Sequence, residues 1–462
     1  MKTLDPGVVP GPACFGQKAW CLPDAPPPAA AGHGPCAWGA VAAILVLCLR
    51  CAFGVASAEL PRIPGTTEAM PAGVTARLTL EGLVYADARG MTLYWDDGDH
   101  DPGVSTCGDA PLTRAYNGNT HFGYALPYPY EGARRRTCTE KWPPFEPTAD
   151  ATPVAKWTIS TRTDGRRQWA YEGRPLYLSI EDRIPGEVSG TETRIRARRA
   201  VYAPLHMPGG IKPMKSVLGL ALADRQGYIL YTYDRDTRTQ SLCDNVCARQ
   251  WLPVMAAAGG VPEGLWSTIE RDDGQKQLAY DGHPLYRYAP EEGPGYTDGS
   301  EVADWSAVVL LPAPKPPENI KIVNTAQGPV YVDRNGMSIY NFTCNEENDE
   351  HLSCDREGDT GAYFHGLCGG EARCADTFRL LRVTDPHAQD GPLWSTRTVD
   401  LSSPLRELTD PSQGTRVWLY NRRLVFTYNG DHAPGDIFAH GIRQLILAQI
   451  MVVRAYGAPD PR

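Results

Sequence analysis

The sequence predicts an all-β protein: three repeated antiparallel β modules, built from hairpins and meanders and stapled by disulfides. Three observations carry that expectation. The chain is rich in turn formers, with 46 Gly and 41 Pro in 462 residues. It writes one stretch twice almost unchanged, AYEGRPLY at Ala170–Tyr177 and AYDGHPLY at Ala279–Tyr286. Once the N-terminal leader is set aside, an even set of cysteines remains: Cys107, Cys138, Cys243, Cys247, Cys344, Cys354, Cys368 and Cys374. Short segments parted by Gly and Pro favour sheet over helix, self-similarity signals a repeat architecture, and paired cysteines in an exported chain imply disulfides.

Residues 1–58 read as the leader. Ala37–Leu49 is an apolar run, Arg50 follows, and Ala56-Ser57-Ala58 fits a small-residue cleavage site, so a secretory signal peptide is expected. The alternative is an uncleaved anchor over Cys36–Ala58, which is the chain's only expected contact with a membrane. Either way the protein is exported, to the periplasm or the cell surface. The whole chain carries a net charge of −9. Removing the leader takes away three cations and two anions and leaves −10. Nucleic acid is not expected as a partner.

The copies announce themselves at turns. Asp87–Tyr94, Asp224–Tyr231 and Asp333–Tyr340 share D-x-x-G-x-x-[LI]-Y. This reads as a β-hairpin in which Asp accepts a backbone N–H and the Gly at the fourth position supplies positive φ. A second block runs from Trp157 to Tyr177 and matches Trp266 to Tyr286 without a gap. Here Asp164-Gly165 and Asp273-Gly274 read as two-residue hairpin turns, and Glu172-Gly173 and Asp281-Gly282 as further tight turns. The third copy of this block is degenerate, starting at Trp394 and keeping the spacing of Gly414, Tyr420 and Phe426. Pro185-Gly186, Pro294-Gly295 and Pro434-Gly435 then fall at one common offset from the last aromatic. The expected modules are 78–204, 217–312 and 328–456, joined by linkers at Leu205–Ser216 and Ala313–Ile320. Copy one adds an insert at Thr113–Glu131, and copy three adds Glu346–Gly370 and Ser402–Ser412; all have loop composition.

These blocks resemble the bacterial family of secreted repeats of unknown function, described as predicted lipoproteins with a Y-x-[FWY]-x-x-D motif. Tyr231-Thr-Tyr233-Asp-Arg-Asp236 matches the motif fully, Tyr340 to Asn345 ends in Asn, and Tyr94 to Asp99 lacks the second aromatic. The resemblance implies an exported, lipoprotein-like envelope protein and supplies no activity. Lipid attachment wants a small residue before the cysteine, whereas Cys48 follows Leu47 and Cys51 follows Arg50.

Candidate sites follow from residue chemistry. The expected disulfides are Cys107–Cys138, Cys243–Cys247, Cys354–Cys374 and Cys344–Cys368, each closing a loop beside a buried aromatic. The competing reading is a metal site among His351, Cys354, His365, Cys368 and Cys374, whose spacing matches no standard zinc pattern. Asp97, Asp99 and Asp101 alternate as calcium ligands could. The insert holding Tyr116, His121, Phe122, Tyr124, Tyr128 and Tyr130 gathers flat aromatic rings suited to stacking on a sugar or another protein. The competing reading is a loop that packs its own tyrosines. No nucleophile elbow, zinc-protease helix, Walker loop or dinucleotide fingerprint is present, and no cofactor is expected. The sequence therefore reads as a non-catalytic binding or structural module of the cell envelope, with an envelope protein or glycan as partner. The alternatives are a hydrolase using loop carboxylates such as Glu181 and Asp182, and a calcium-dependent adhesion module.

Overall fold

A computed structural model describes residues 65–66, 68–109, 137–191, 198–257, 263–344, 374–401, 411–445 and 448–459. Among them the structure is nearly all β, and the α-helices are three short ones, Cys138–Lys141, Asn245–Gln250 and Cys374–Thr377.

Each copy opens on a hairpin in full antiparallel register: Val74–Thr79 with Gly82–Asp87, Ile211–Ser216 with Gly219–Asp224, and Lys321–Thr325 with Gly328–Val332. One turn makes all three. The hydroxyls of Thr79, Ser216 and Thr325 donate to the carbonyls of Gly82, Gly219 and Gly328, and accept the N–H two residues on. Upstream, the N–H of Val74, Ile211 and Ile320 donates to the carbonyl of Pro71, Pro208 and Pro317. Ile211–Ser216 is thus a strand, although the sequence read it as linker. Pro213 is tolerated there because the strand lies at the edge of its sheet.

The second hairpin strand is buried along nearly its whole length, as GLVYAD at 82–87 and GLALAD at 219–224. Such a strand reads as an unbroken apolar run because both of its faces meet a core. In copy one, one core holds Val74, Leu83, Tyr85, Trp157 and Trp169, and a second holds Val84, Tyr94, Trp142 and Tyr177 with the Cys107–Cys138 bridge.

The D-x-x-G segments turn as the sequence predicts. Asp87, Asp224 and Asp333 accept the N–H of Met91, Tyr228 and Met337 on their side chains, and Gly90, Gly227 and Gly336 take positive φ. The Pro-Gly pairs dock on these turns: the N–H of Gly186, Gly295 and Gly435 donates to the carbonyl of Gly90, Gly227 and Gly336 at 2.9–3.0 Å. A Cβ at Gly90 or Gly336 would meet the Cβ of Pro185 at 3.0 Å or of Pro434 at 2.7 Å, so glycine is required twice over.

The Trp blocks form the meanders. Trp157–Thr161 pairs with Arg167–Tyr171, Trp266–Glu270 with Lys276–Tyr280, and Trp394–Val399 with Thr415–Tyr420, each with its tryptophan opposite a tyrosine. One expectation is corrected here. Asp164-Gly165 and Asp273-Gly274 are not two-residue turns: the N–H of Gly165 and Gly274 donates to the carbonyl of Arg162 and Arg271, and only the glycines have positive φ. These are type I turns closed by a glycine bulge. Glu172-Gly173 and Asp281-Gly282, with positive φ at both residues, are the two-residue turns. Copy three makes the same turn with Asn421-Arg422, where Arg422 holds φ +67° without being glycine.

The remaining strands pair across long separations. In copy two the order is Trp251–Pro253, Tyr286–Tyr288, Leu230–Tyr233, Trp305–Ala307. In copy three, Ile339–Cys344 lies between Arg423–Tyr428 and Ala448–Val452.

Candidate functional site

The tyrosine ending each D-x-x-G strand is fully buried and donates its hydroxyl to a carboxylate five residues past the last aromatic of the Trp block. Tyr94 reaches Asp182 at 2.8 Å, Tyr231 reaches Glu291 at 2.9 Å, and Tyr340 reaches Asp431 at 2.8 Å. Each carboxylate also accepts the backbone N–H seven residues on: Ser189 at 2.9 Å, Asp298 at 2.6 Å and Phe438 at 3.0 Å. The carboxylates are 6–7% exposed. Burial pushes Asp182 and Glu291 up to about 7 and raises Asp431 as well. The same burial lifts all three phenols.

A carboxyl titrating near neutrality has the acidity that general acid–base chemistry needs. Here it is committed to two fixed donors and stands at the same place in all three copies. It ties a loop of eight residues to the sheet. The sequence held the signal, since the three acids share one offset from Tyr177, Tyr286 and Phe426, yet only Asp182 drew notice, as a partner for Glu181. The structure separates those two: Glu181 is ion-paired with Arg422 at 3.0 Å while Asp182 lies under Tyr94.

A second network recurs in copies one and two. Tyr177 donates to Asp99 at 2.6 Å and lies 2.7 Å from the Ser105 hydroxyl, while Tyr286 meets Asp236 and Ser241 at the same two distances. Arg162 and Arg271 bond that serine and the amide oxygen of Gln168 or Gln277. The last Asp of Y-x-[FWY]-x-x-D, Asp236, is therefore the partner of a tyrosine 50 residues downstream. Copy three has Phe426 at that tyrosine position and cannot make the bond.

The missing aromatic of copy one has a structural counterpart. In copy two, Tyr233 stacks on Trp305 at 4.5 Å and Trp305 on Trp251 at 3.6 Å. The pairing registers place Asp96 where Tyr233 stands and Arg198 where Trp305 stands. Asp96 and Arg198 form a buried ion pair at 2.9 Å, and the guanidinium lies 4.6 Å over Trp142. Copy three fills the layer with Phe342 opposite Ile450, and Phe378.

The expected sites divide. Cys107–Cys138 and Cys243–Cys247 are bridged; Cys354 and Cys368, and with them both remaining pairings, lie outside the described residues, as do Tyr116, His121, Phe122, Tyr124, Tyr128, Tyr130, His351, His365 and the leader. Among the calcium candidates, Asp97 is engaged by Arg174 and Arg199, Asp99 by Tyr177 and Thr106, and Asp101 is exposed. Among the described residues, no three His, Cys, Asp or Glu gather as metal ligands would.

A groove of about 430 Å³ opens in copy three between Pro314–Asn319 and Thr384–Leu393, floored by Trp394 and Trp418. It falls in the range of small-ligand sites.

The family described as secreted repeat of unknown function matches the chain twice, over residues 158–194 and 267–308. Those segments begin one residue after Trp157 and Trp266 and run past the Trp blocks to include the buried carboxylates Asp182 and Glu291. No curated protein and no solved structure matches the chain. Among the described residues, no helix is long and apolar enough to cross a membrane.

Proposed function

We propose that this chain, which carries a secreted repeat twice, is an exported envelope protein whose role is to bind a partner without catalysis. The three copies, opening on the hairpins at Val74, Ile211 and Lys321, serve as one scaffold used three times, and the segments that differ between copies, the inserts of copies one and three, meet a protein or glycan. The observation that carries this reading is the lock. In each copy the buried acid is held by the same tyrosine hydroxyl and the same downstream N–H. A carboxylate repeated three times with the same two donors suits an architectural part better than a general acid or base, which must reach and exchange a proton with a substrate. Asp99 and Asp236, which also recur, are committed in the same way.

The test is capture of envelope proteins and an array of glycans by the mature chain, with and without Tyr128→Ala and Tyr130→Ala. Saturable binding lost in those variants supports the reading. Turnover of ester, peptide or glycoside probes that disappears in Asp182→Asn with the fold intact overturns it in favour of a hydrolase.

A further inference from the structure

We propose that the Cys243–Cys247 bridge of copy two is a thiol–disulfide exchange site, reduced by a dithiol protein that docks on the apolar rim formed by Leu242 and Val246. This goes beyond the binding reading and does not rest on it. Two bridges share one place in the repeat and differ in access. Arg162 and Arg271 donate to the carbonyls of Cys107 and Cys243, and the N–H of Trp142 and Trp251 donates to the carbonyls of Cys138 and Cys247. Copy one shuts its bridge away. Cys107 and Cys138 are both buried, and the Arg198 guanidinium lies 3.5 Å from the Cys138 sulfur. Its helix, Cys138–Lys141, is fixed at the start by the capping box of Thr137 and Glu140, and Thr139 donates to Asp109.

Copy two leaves its bridge at the surface. The helix Asn245–Gln250 buries no residue, and Asp244 before it makes no side-chain cap. The bridge stands in for that cap, closing a ring over a sequence separation of 4 in which Asn245 takes φ +46°. Cys243 is fully buried in the core of Trp251 and Trp305, whereas Cys247 is half-buried at its edge. An incoming thiolate therefore meets Cys247, and access decides both the rate of exchange and which sulfur is attacked. Leu242 and Val246 flank it at 49% and 78% exposure. They favour a protein reductant over a small thiol, because only a protein buries them as its own thiol arrives. The partner's thiolate attacks the Cys247 sulfur, the bridge breaks, and Cys243 leaves as a thiolate that takes up a proton. The partner's second thiolate then attacks the partner sulfur of the mixed disulfide, and Cys247 leaves and is protonated. Two electrons and two protons pass to the chain, and the partner dithiol becomes a disulfide. Reduction frees the first turn of the helix that leads into Trp251.

The experiment treats the native mature chain with dithiothreitol and, separately, with reduced thioredoxin, quenches with iodoacetamide over time, and reads each cysteine by peptide mass spectrometry. With either reductant, Cys243 and Cys247 are expected to be labelled together roughly tenfold faster than Cys107 and Cys138. Val246→Asp is expected to slow thioredoxin roughly tenfold and to leave the dithiothreitol rate unchanged. Single variants assign the attacked sulfur: the Cys247 thiol of Cys243→Ser should react with dithiodipyridine roughly tenfold faster than the Cys243 thiol of Cys247→Ser. Opening of Cys243–Cys247 no faster than of Cys107–Cys138, or only in urea, overturns the site. A thioredoxin rate unmoved by Val246→Asp, or a dithiothreitol rate lowered as much, overturns the docking rim. Equal reactivity of the two single thiols overturns attack at Cys247.

Discussion

Replacing Asp96 by alanine leaves the Arg198 guanidinium buried without its carboxylate. The Asp96 side chain is 1% exposed and that of Arg198 4%, and they meet at 2.9 Å. Removing one partner of a buried ion pair costs about 3–5 kcal/mol, because the remaining charge stays desolvated. Some attraction to the face of Trp142 survives, worth about 1–2 kcal/mol in a desolvated setting, so the lower part of the range is expected. Copy two shows the compensated alternative in Tyr233 and Trp305. The double variant Asp96→Tyr, Arg198→Trp is therefore expected within about 1.5 kcal/mol of the parent, as ion pairs exchanged for packed apolar groups often are. Urea unfolding of the parent, the two single variants and the double variant measures the coupling. A single Asp96→Ala costing under about 0.5 kcal/mol, as a surface change does, refutes the reasoning. So does a double variant no better than its worse single.

Tyr94→Phe deprives the buried Asp182 of its hydroxyl donor and is expected to cost about 1–3 kcal/mol in thermal or urea unfolding; Tyr231→Phe and Tyr340→Phe should act alike. Gly190→Ala places a Cβ 2.8 Å from the Tyr94 ring and 2.6 Å from Ser179 Cβ, and should lower stability, whereas Ala439→Gly at the matching place in copy three should not open the lock. Stability should depend on pH with a definite sign. Asp182 and Glu291 titrate at about 7 when folded against 3.8 and 4.5 ordinarily, so the folded state binds more protons between those limits. Their contribution is whole below about 4 and lost as pH rises through 7. Glu68 works oppositely: hydrogen bonds from Lys156, Tyr171 and Tyr85 hold it at about 2, so its contribution is whole above about 4.5 and lost on acidification towards 2. Unfolding temperatures should peak in mild acid and decline towards pH 8, and Asp182→Asn with Glu291→Gln should flatten that decline.

The repeats were legible because turns are local. Asp87, Gly90 and their counterparts lie within four residues of each other, and the Pro-Gly offset survived because Pro185, Pro294 and Pro434 must each land on that turn. The bulged turn at Asp164-Gly165 was misread because an Asp-Gly pair serves two turn types, and only the pairing of Arg162 with Arg166 separates them. Ile211–Ser216 looked like linker because its Pro and two Lys are poor strand formers; its partner Gly219–Asp224 imposes the strand. Asp99 reads from the sequence as a cation candidate, while its hydrogen-bond partner Tyr177 stands 78 residues away and nothing local signals that bond. The Asp96–Arg198 pair was invisible for the same reason.

Backbone hydrogen exchange at Ser189, Asp298 and Phe438, the three amides held by the lock carboxylates, tests the central claim most directly. If the repeated acid is architectural, all three amides are protected well beyond their loop neighbours, and Tyr94→Phe releases Ser189 while leaving the other two slow. Exchange at the rate of an open loop in all three copies would contradict it, and would return those carboxylates to the pool of groups free for chemistry.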